Sequence, residues 1–109
     1  MALTTIYFLS GCSSYYSGVP TGHYVGTNIY FDVVQDGSYL NVENFYCSMG
    51  EDEGSISILI AATLTSPEWT YTDSYGWKIT GKFSGTECTG STVYSTYDTY
   101  TTSWAAYKQ

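Results

Sequence analysis

Residues 21–42 read TGHYVGTNIYFDVVQDGSYLNV. Within them Ile29, Phe31 and Val33 alternate with Tyr30, Asp32 and Val34. That period of two turns one side of an extended strand toward a core. Asp36-Gly37 follows, and glycine accepts the positive backbone angles of tight turns between antiparallel strands. Leu40 and Val42 then alternate with Asn41 and Glu43 on the way back. Two alternating runs around Asp-Gly predict a β-hairpin, and the remaining segments are read outward from it.

Phe45, Tyr46 and Cys47 complete the returning strand, and an acidic turn, SMGEDEG over residues 48–54, ends it. Residues 55–64 are the most apolar run: Ile56, Ile58, Ile60, Ala62 and Leu64 share one face, Leu59 and Ala61 the other. Apolar character on both faces predicts a central strand, and the alternation of β-branched residues favours a strand over a short buried helix. Ser66-Pro67 stops it. In residues 68–84, Trp69, Tyr71, Tyr75, Trp77, Ile79 and Phe83 fall on odd positions, which predicts two strands around residues 73–76, with Lys78, Thr80 and Lys82 toward solvent. A turn over 84–90 containing Cys88 is expected next, then strands over 92–100 and 102–108 with Trp104 and Tyr107 on opposite faces. About seven to eight short strands without a helical period predict an all-β domain, an antiparallel β-sandwich or small barrel.

That domain spans residues 22–109. Before it, residues 13–21 read as a linker punctuated by Ser, Gly and Pro. Residues 1–12, MALTTIYFLSGC, are apolar and uncharged, and two readings compete. The first is a β-strand over 3–9, built on Leu3, Ile6, Phe8 and Leu9, residue types that strands favour. Such a strand can complete a sheet in a neighbouring molecule. The second is a truncated lipoprotein signal, because Leu9-Ser10-Gly11-Cys12 reads as a lipobox with Cys12 as the lipid anchor. The absence of Lys and Arg ahead of it weighs against an export signal.

The 109 residues suffice for one core and no second. Charged residues make up 12%, about half the usual share. Three Lys, no Arg, ten acids and a net charge of -7 exclude a nucleic-acid partner, since phosphate binding needs clustered positive charge. They equally disfavour an anionic membrane surface, so membrane contact would come only through a lipid on Cys12. The polar surface must instead be Thr, Ser, Asn and thirteen Tyr, the dress of extracellular and cell-surface β-proteins. Of the three cysteines, Cys47 and Cys88 can be read as a disulfide closing a long loop or as two small buried thiols.

Gly22-His23-Tyr24-Val25-Gly26, Phe31-Asp32-Val33, Asp36-Gly37, Ile79-Thr80-Gly81-Lys82-Phe83, Thr89-Gly90-Ser91 and Trp104-Ala105-Ala106 occur in that order. The chain thereby resembles small secreted or lipid-anchored prokaryotic β-domains with G-x-Y-x-G, F-x-V, D-G, I-x-G-x-F and terminal W-x-A motifs, over residues 22–106. The resemblance implies an exported β-domain and carries no activity. Members often place a second cysteine shortly before the final Trp; residues 97–103 hold none.

No catalytic constellation stands out, so the chain reads as a non-enzyme without cofactor. The three cysteines and His23 lack zinc-ligand spacing. Glu51, Asp52 and Glu53 offer oxygens for calcium, but three consecutive residues seldom converge on one ion. Scattered acids define no glycosidase pair, and no nucleophile elbow accompanies His23. Trp69 and Tyr71, beside Pro67, are the candidate exposed ligand platform, Trp77 and Trp104 the candidate core. The expected function is a structural or adhesive extracellular subunit that self-associates by N-terminal strand donation; the alternative is a carbohydrate- or ligand-binding cell-surface module with polysaccharide as partner.

Overall fold

The structure, a computed structural model, describes residues 18–50 and 54–109. The expected strand over 3–9, Cys12 and the acidic residues 51–53 lie outside the described residues. Eight strands follow: β1 (Gly22–Val25), β2 (Ile29–Asp36), β3 (Tyr39–Gly50), β4 (Gly54–Thr63), β5 (Glu68–Thr72), β6 (Trp77–Ser84), β7 (Glu87–Ser95) and β8 (Thr99–Lys108). All pairings are antiparallel, in the order β4-β3-β2-β1-β8-β7-β6-β5. Two four-stranded meanders are thus joined where the first strand lies beside the last. The single sheet curls into a nearly closed barrel, with β4 and β5 as its two edges.

The hairpin over β2 and β3 forms as its pattern predicts: Asp36 pairs with Tyr39 around Gly37-Ser38, with Gly37 at φ +62°. The same two-residue turn recurs within the expected turn over 84–90, which is thereby shortened. Ser84 pairs with Glu87 around Gly85-Thr86, with Gly85 at φ +61°, and β7 starts at once. Cys88 is therefore a strand residue. Gly90 likewise lies inside β7 rather than in a turn. The last reversal also moves: the chain turns over residues 96–98, where Thr96 N–H donates to the Asp98 carbonyl at 3.0 Å, and β8 runs unbroken from Thr99. Neither Gly nor Pro marks that turn.

On the inward side of β5 to β8 the register sets Trp69, Gly81, Gly90 and Trp104 in one row. The flanking indoles lean over the central glycines. A Cβ on Gly81 would lie 2.5 Å from Trp69 Nε1, and one on Gly90 would lie 2.6 Å from Trp104 Cζ2 and 2.0 Å from the Thr80 carbonyl oxygen. On the opposite wall Tyr24, Phe31 and Phe45 stack at centroid distances of 5.3 and 5.9 Å. Phe31 and Phe45 meet both indoles edge-on at 5.8 to 6.2 Å. An eight-stranded barrel is just wide enough to be filled by side chains, and these rings fill it.

One polar thread crosses that core. Trp104 Nε1 donates to Thr92 Oγ1 at 3.1 Å, and Thr92 Oγ1 donates to Cys47 Sγ at 3.3 Å, joining β8, β7 and β3. Buried polar groups cost little only when satisfied in this way. The outward side carries Asp32, Glu43, Glu68, Lys78 and Lys82 among Thr and Ser residues. An apolar interior beneath a polar exterior is the reverse of a barrel built to face lipid.

The expectation of a central β4 is corrected. β4 pairs only with β3 and forms an edge of the sheet. A register shift between Val42 and Glu43 leaves Ala61 opposite no partner and breaks the alternation. Ile56 and Ala61 are buried, while Leu59 is 75% and Ile60 55% exposed. The apolar run thus reflects a bulge and an open edge rather than burial on two faces.

Candidate functional site

The expected ligand platform is not on the surface. Trp69 is buried in the barrel, 6.3 Å from Trp104 between ring centroids. Tyr71 is half-buried and its hydroxyl donates to Asp73 Oδ2 at 3.1 Å. Burial, with the bond to Asp73 and its charge, pushes the Tyr71 phenol up. The shared odd parity of Trp69 and Tyr71 is the inward side of β5, and Gly81 on the neighbouring strand leaves room there for the Trp69 indole. Trp104 is core, as expected; Trp77 is half-buried and stacks on Tyr94 at 4.2 Å.

Cys47 and Cys88 are buried free thiols, not a bridge. Cys47 reaches across the barrel to Thr92, which sits four residues along β7 from Cys88. At about 3.3 Å per residue Thr92 and Cys88 are roughly 13 Å apart along the strand, so the Cys47 sulfur is directed at a different part of β7 from Cys88. Burial pushes the Cys47 thiol up, against the bond from Thr92. Burial pushes Cys88 up to about 12, against smaller opposing effects of the Trp69 indole and the Lys82 backbone. The Trp69 N–H nevertheless makes no hydrogen bond of good geometry, so its contact with the Cys88 sulfur is a weak one. Thiols held protonated in an apolar interior are neither nucleophiles nor metal ligands.

His23 is a surface residue, as expected, but not an isolated one. It pairs across β1 and β2 with Asp32, Nδ1 to Oδ1 at 2.5 Å. Asn44 Nδ2 donates to the other carboxylate oxygen at 3.0 Å. Partial burial acts to raise the Asp32 carboxyl, but the bonds from His23 and Asn44 and the His23 charge outweigh it and hold the group low. Asn44 occupies the left-handed region at φ +53°, in a bulge that sets two β3 residues against Phe31. No serine or cysteine accompanies the His23–Asp32 pair in these bonds, so the cluster orients an amide rather than a nucleophile. Among the described residues no group of three His, Cys, Asp or Glu side chains could hold a metal.

Two further features face outward. A cavity of about 530 Å³ opens where β1 and β8 splay, beside Gly26, Asn28, Ser103 and Tyr107. Asn28 Nδ2 ties that end together, donating to the Ser48 carbonyl at 2.9 Å. The second feature is the β4 edge. β5 has five residues to the ten of β4, so it can lie beside only the half of β4 next to the 64–67 connection. That connection is pinned at both ends, by Leu64 N–H to the Leu40 carbonyl and Phe83 N–H to the Pro67 carbonyl. No strand other than β3 pairs with β4, and its end toward Gly54 is an open, uncharged backbone edge. Sequence reading missed the edge because an apolar strand looks central until its neighbours are known.

Compared with known proteins, the chain matches no family model, no curated protein and no solved structure. Its architecture therefore stands on its own geometry: an eight-stranded meander barrel with a solid aromatic core and one open edge.

Proposed function

We propose that this protein is a non-catalytic structural or adhesive subunit of an extracellular or cell-surface assembly, and that it self-associates by strand addition at β4. The observation that carries the reading is the unpaired β4 edge with Leu59 and Ile60 exposed. A long apolar edge is a template for pairing, and proteins that stay monomeric guard such edges with charge, Pro or short strands. β5 is guarded in this way: it is short, follows Pro67 and begins with Glu68, which faces Lys82 at 3.9 Å. β4 is ten residues long and carries neither charge nor Pro, although it bulges at Ala61.

The incoming strand is residues 3–9 of a second copy. Their sequence, LTTIYFL, is uncharged and rich in the residue types strands favour. An added strand gains a ladder of main-chain hydrogen bonds and seats alternate side chains. Donor and acceptor are different surfaces, so association runs head to tail and propagates as a filament. The charge-poor Thr, Ser and Tyr surface supports the extracellular location, and a lipid on Cys12 would be the sole means of holding the subunit to a membrane.

Sedimentation of the full chain, of a chain lacking residues 1–11 and of Ile60→Lys tests the reading. The full chain should form concentration-dependent oligomers, and both variants should remain folded monomers. A full chain that is monomeric at every concentration, or oligomers that survive both changes, would overturn it.

A further inference from the structure

We infer that the outward face of β3 and β4 holds a slot for one uncharged sugar ring, walled by Tyr46 and Leu59 over Ser57. The register explains why a slot exists there. Tyr30, Tyr46 and Ser57 lie in one row across β2, β3 and β4. Tyr30 stacks on one face of the Tyr46 ring at 5.0 Å and 20°. On the other side the neighbour is only a serine, so the second ring face of Tyr46 has no side chain of comparable height against it. Leu59, two residues along β4 and 75% exposed, stands across the gap. The resulting cavity is about 290 Å³, the small end of ligand pockets, which run from about 300 to 1,000 Å³.

The lining chemistry selects the occupant. An open tyrosine face takes an apolar, flat partner, and Tyr offers that face with little side-chain entropy to lose. The rim is hydroxyl and amide: Ser57 Oγ, the tyrosine hydroxyls and the Asn44 amide. None of the lining side chains carries charge, so an ionic ligand finds no counter-charge in the slot. A sugar ring matches both features, with C–H groups on its faces and hydroxyls around its edge. Asn44 is held for this role: its Nδ2 is committed to Asp32, itself fixed by His23, which leaves Oδ1 as an acceptor at the rim. A bulge with a residue in the left-handed region is a costly way to aim an amide, and such sites recur where ligands bind. Strand addition beside β4 would extend the sheet laterally and leave this outward face open.

Affinity gel electrophoresis of the full chain in soluble β-glucan, galactomannan and dextran, with polygalacturonate as the acidic control, tests the inference. At least one neutral polymer should retard the protein. Tyr46→Ala, which removes the wall, and Ser57→Leu, which fills the floor, should each weaken retardation about ten-fold or more. Ile60→Lys should bind as the parent does, so loss of assembly and loss of sugar binding are separable. Retardation by no neutral polymer, retardation by the acidic polymer alone, or retardation unchanged in both slot variants would overturn the inference.

Discussion

Gly81→Ala is expected to destabilise the barrel through a single contact, the one between the new methyl and the Trp69 indole. Gly81 sits in a regular strand without a positive φ, so alanine meets no backbone penalty there, and its higher strand propensity would favour the change on an exposed face. The methyl would instead lie 2.5 Å from Nε1, 2.6 Å from Cε2 and 2.8 Å from Cζ2 of Trp69. Carbon contacts in proteins settle near 3.5 to 4.0 Å, so the indole must retreat by about 1 Å. Phe31 and Phe45 are packed against its far side, at 6.2 and 5.8 Å between centroids, and they leave it nowhere to go. Overpacking of this kind costs about 1–3 kcal/mol. For a domain of this size that corresponds to about 4–8 °C in Tm per kcal/mol. Trp69→Ala alone should cost about 3–5 kcal/mol. In the double variant the methyl has room, so adding Gly81→Ala to Trp69→Ala should cost almost nothing. Urea denaturation of the four proteins gives the coupling energy directly. Gly81→Ala as stable as the parent, or the two costs simply adding, would refute the packing argument. Gly90→Ala should cost more than Gly81→Ala, because its methyl meets a carbonyl oxygen of the sheet as well as the Trp104 ring.

Cys88 ionises near its usual value of 9.0 when unfolded but only at about 12 when folded. Stability is therefore fully present below pH 9 and falls as pH rises from 9 toward 12, by up to about 4 kcal/mol at 1.36 kcal/mol per pH unit. Comparison of urea midpoints at pH 7 and pH 10.5 checks this, and the alkaline loss should shrink in Cys88→Ala. Thiol titration should find Cys47 and Cys88 unreactive in the native protein and both reactive after unfolding without reductant; unfolded protein in which neither reacts would mean a bridge after all. Thr92→Val leaves the Trp104 N–H buried and unpaired and should cost about 1–3 kcal/mol; adding Trp104→Phe, which removes the orphaned donor, should cost less than the two changes summed.

Elements with a local cause are legible in the residues alone. The β2–β3 hairpin was legible because alternation and Asp36-Gly37 act within a dozen residues, and the all-β class because no segment carries a helical period. Whatever depends on which strand lies beside which is fixed only when the sheet closes up. Gly90 reads as the end of a turn and Gly81 as an ordinary strand glycine until the register sets each next to a tryptophan. Trp69 reads as exposed because Pro67 lies just before it, whereas burial depends on what lies across the interior. β4 was read as central because hydrophobicity does not distinguish two buried faces from one buried face and an open edge. Tyr46 and Ser57, eleven residues apart, become neighbours only through the β3–β4 ladder. For Cys47 and Cys88 a bridge and two free thiols are equally compatible with the sequence, and the barrel keeps both thiols free because each is held on its own strand by the register of its neighbours.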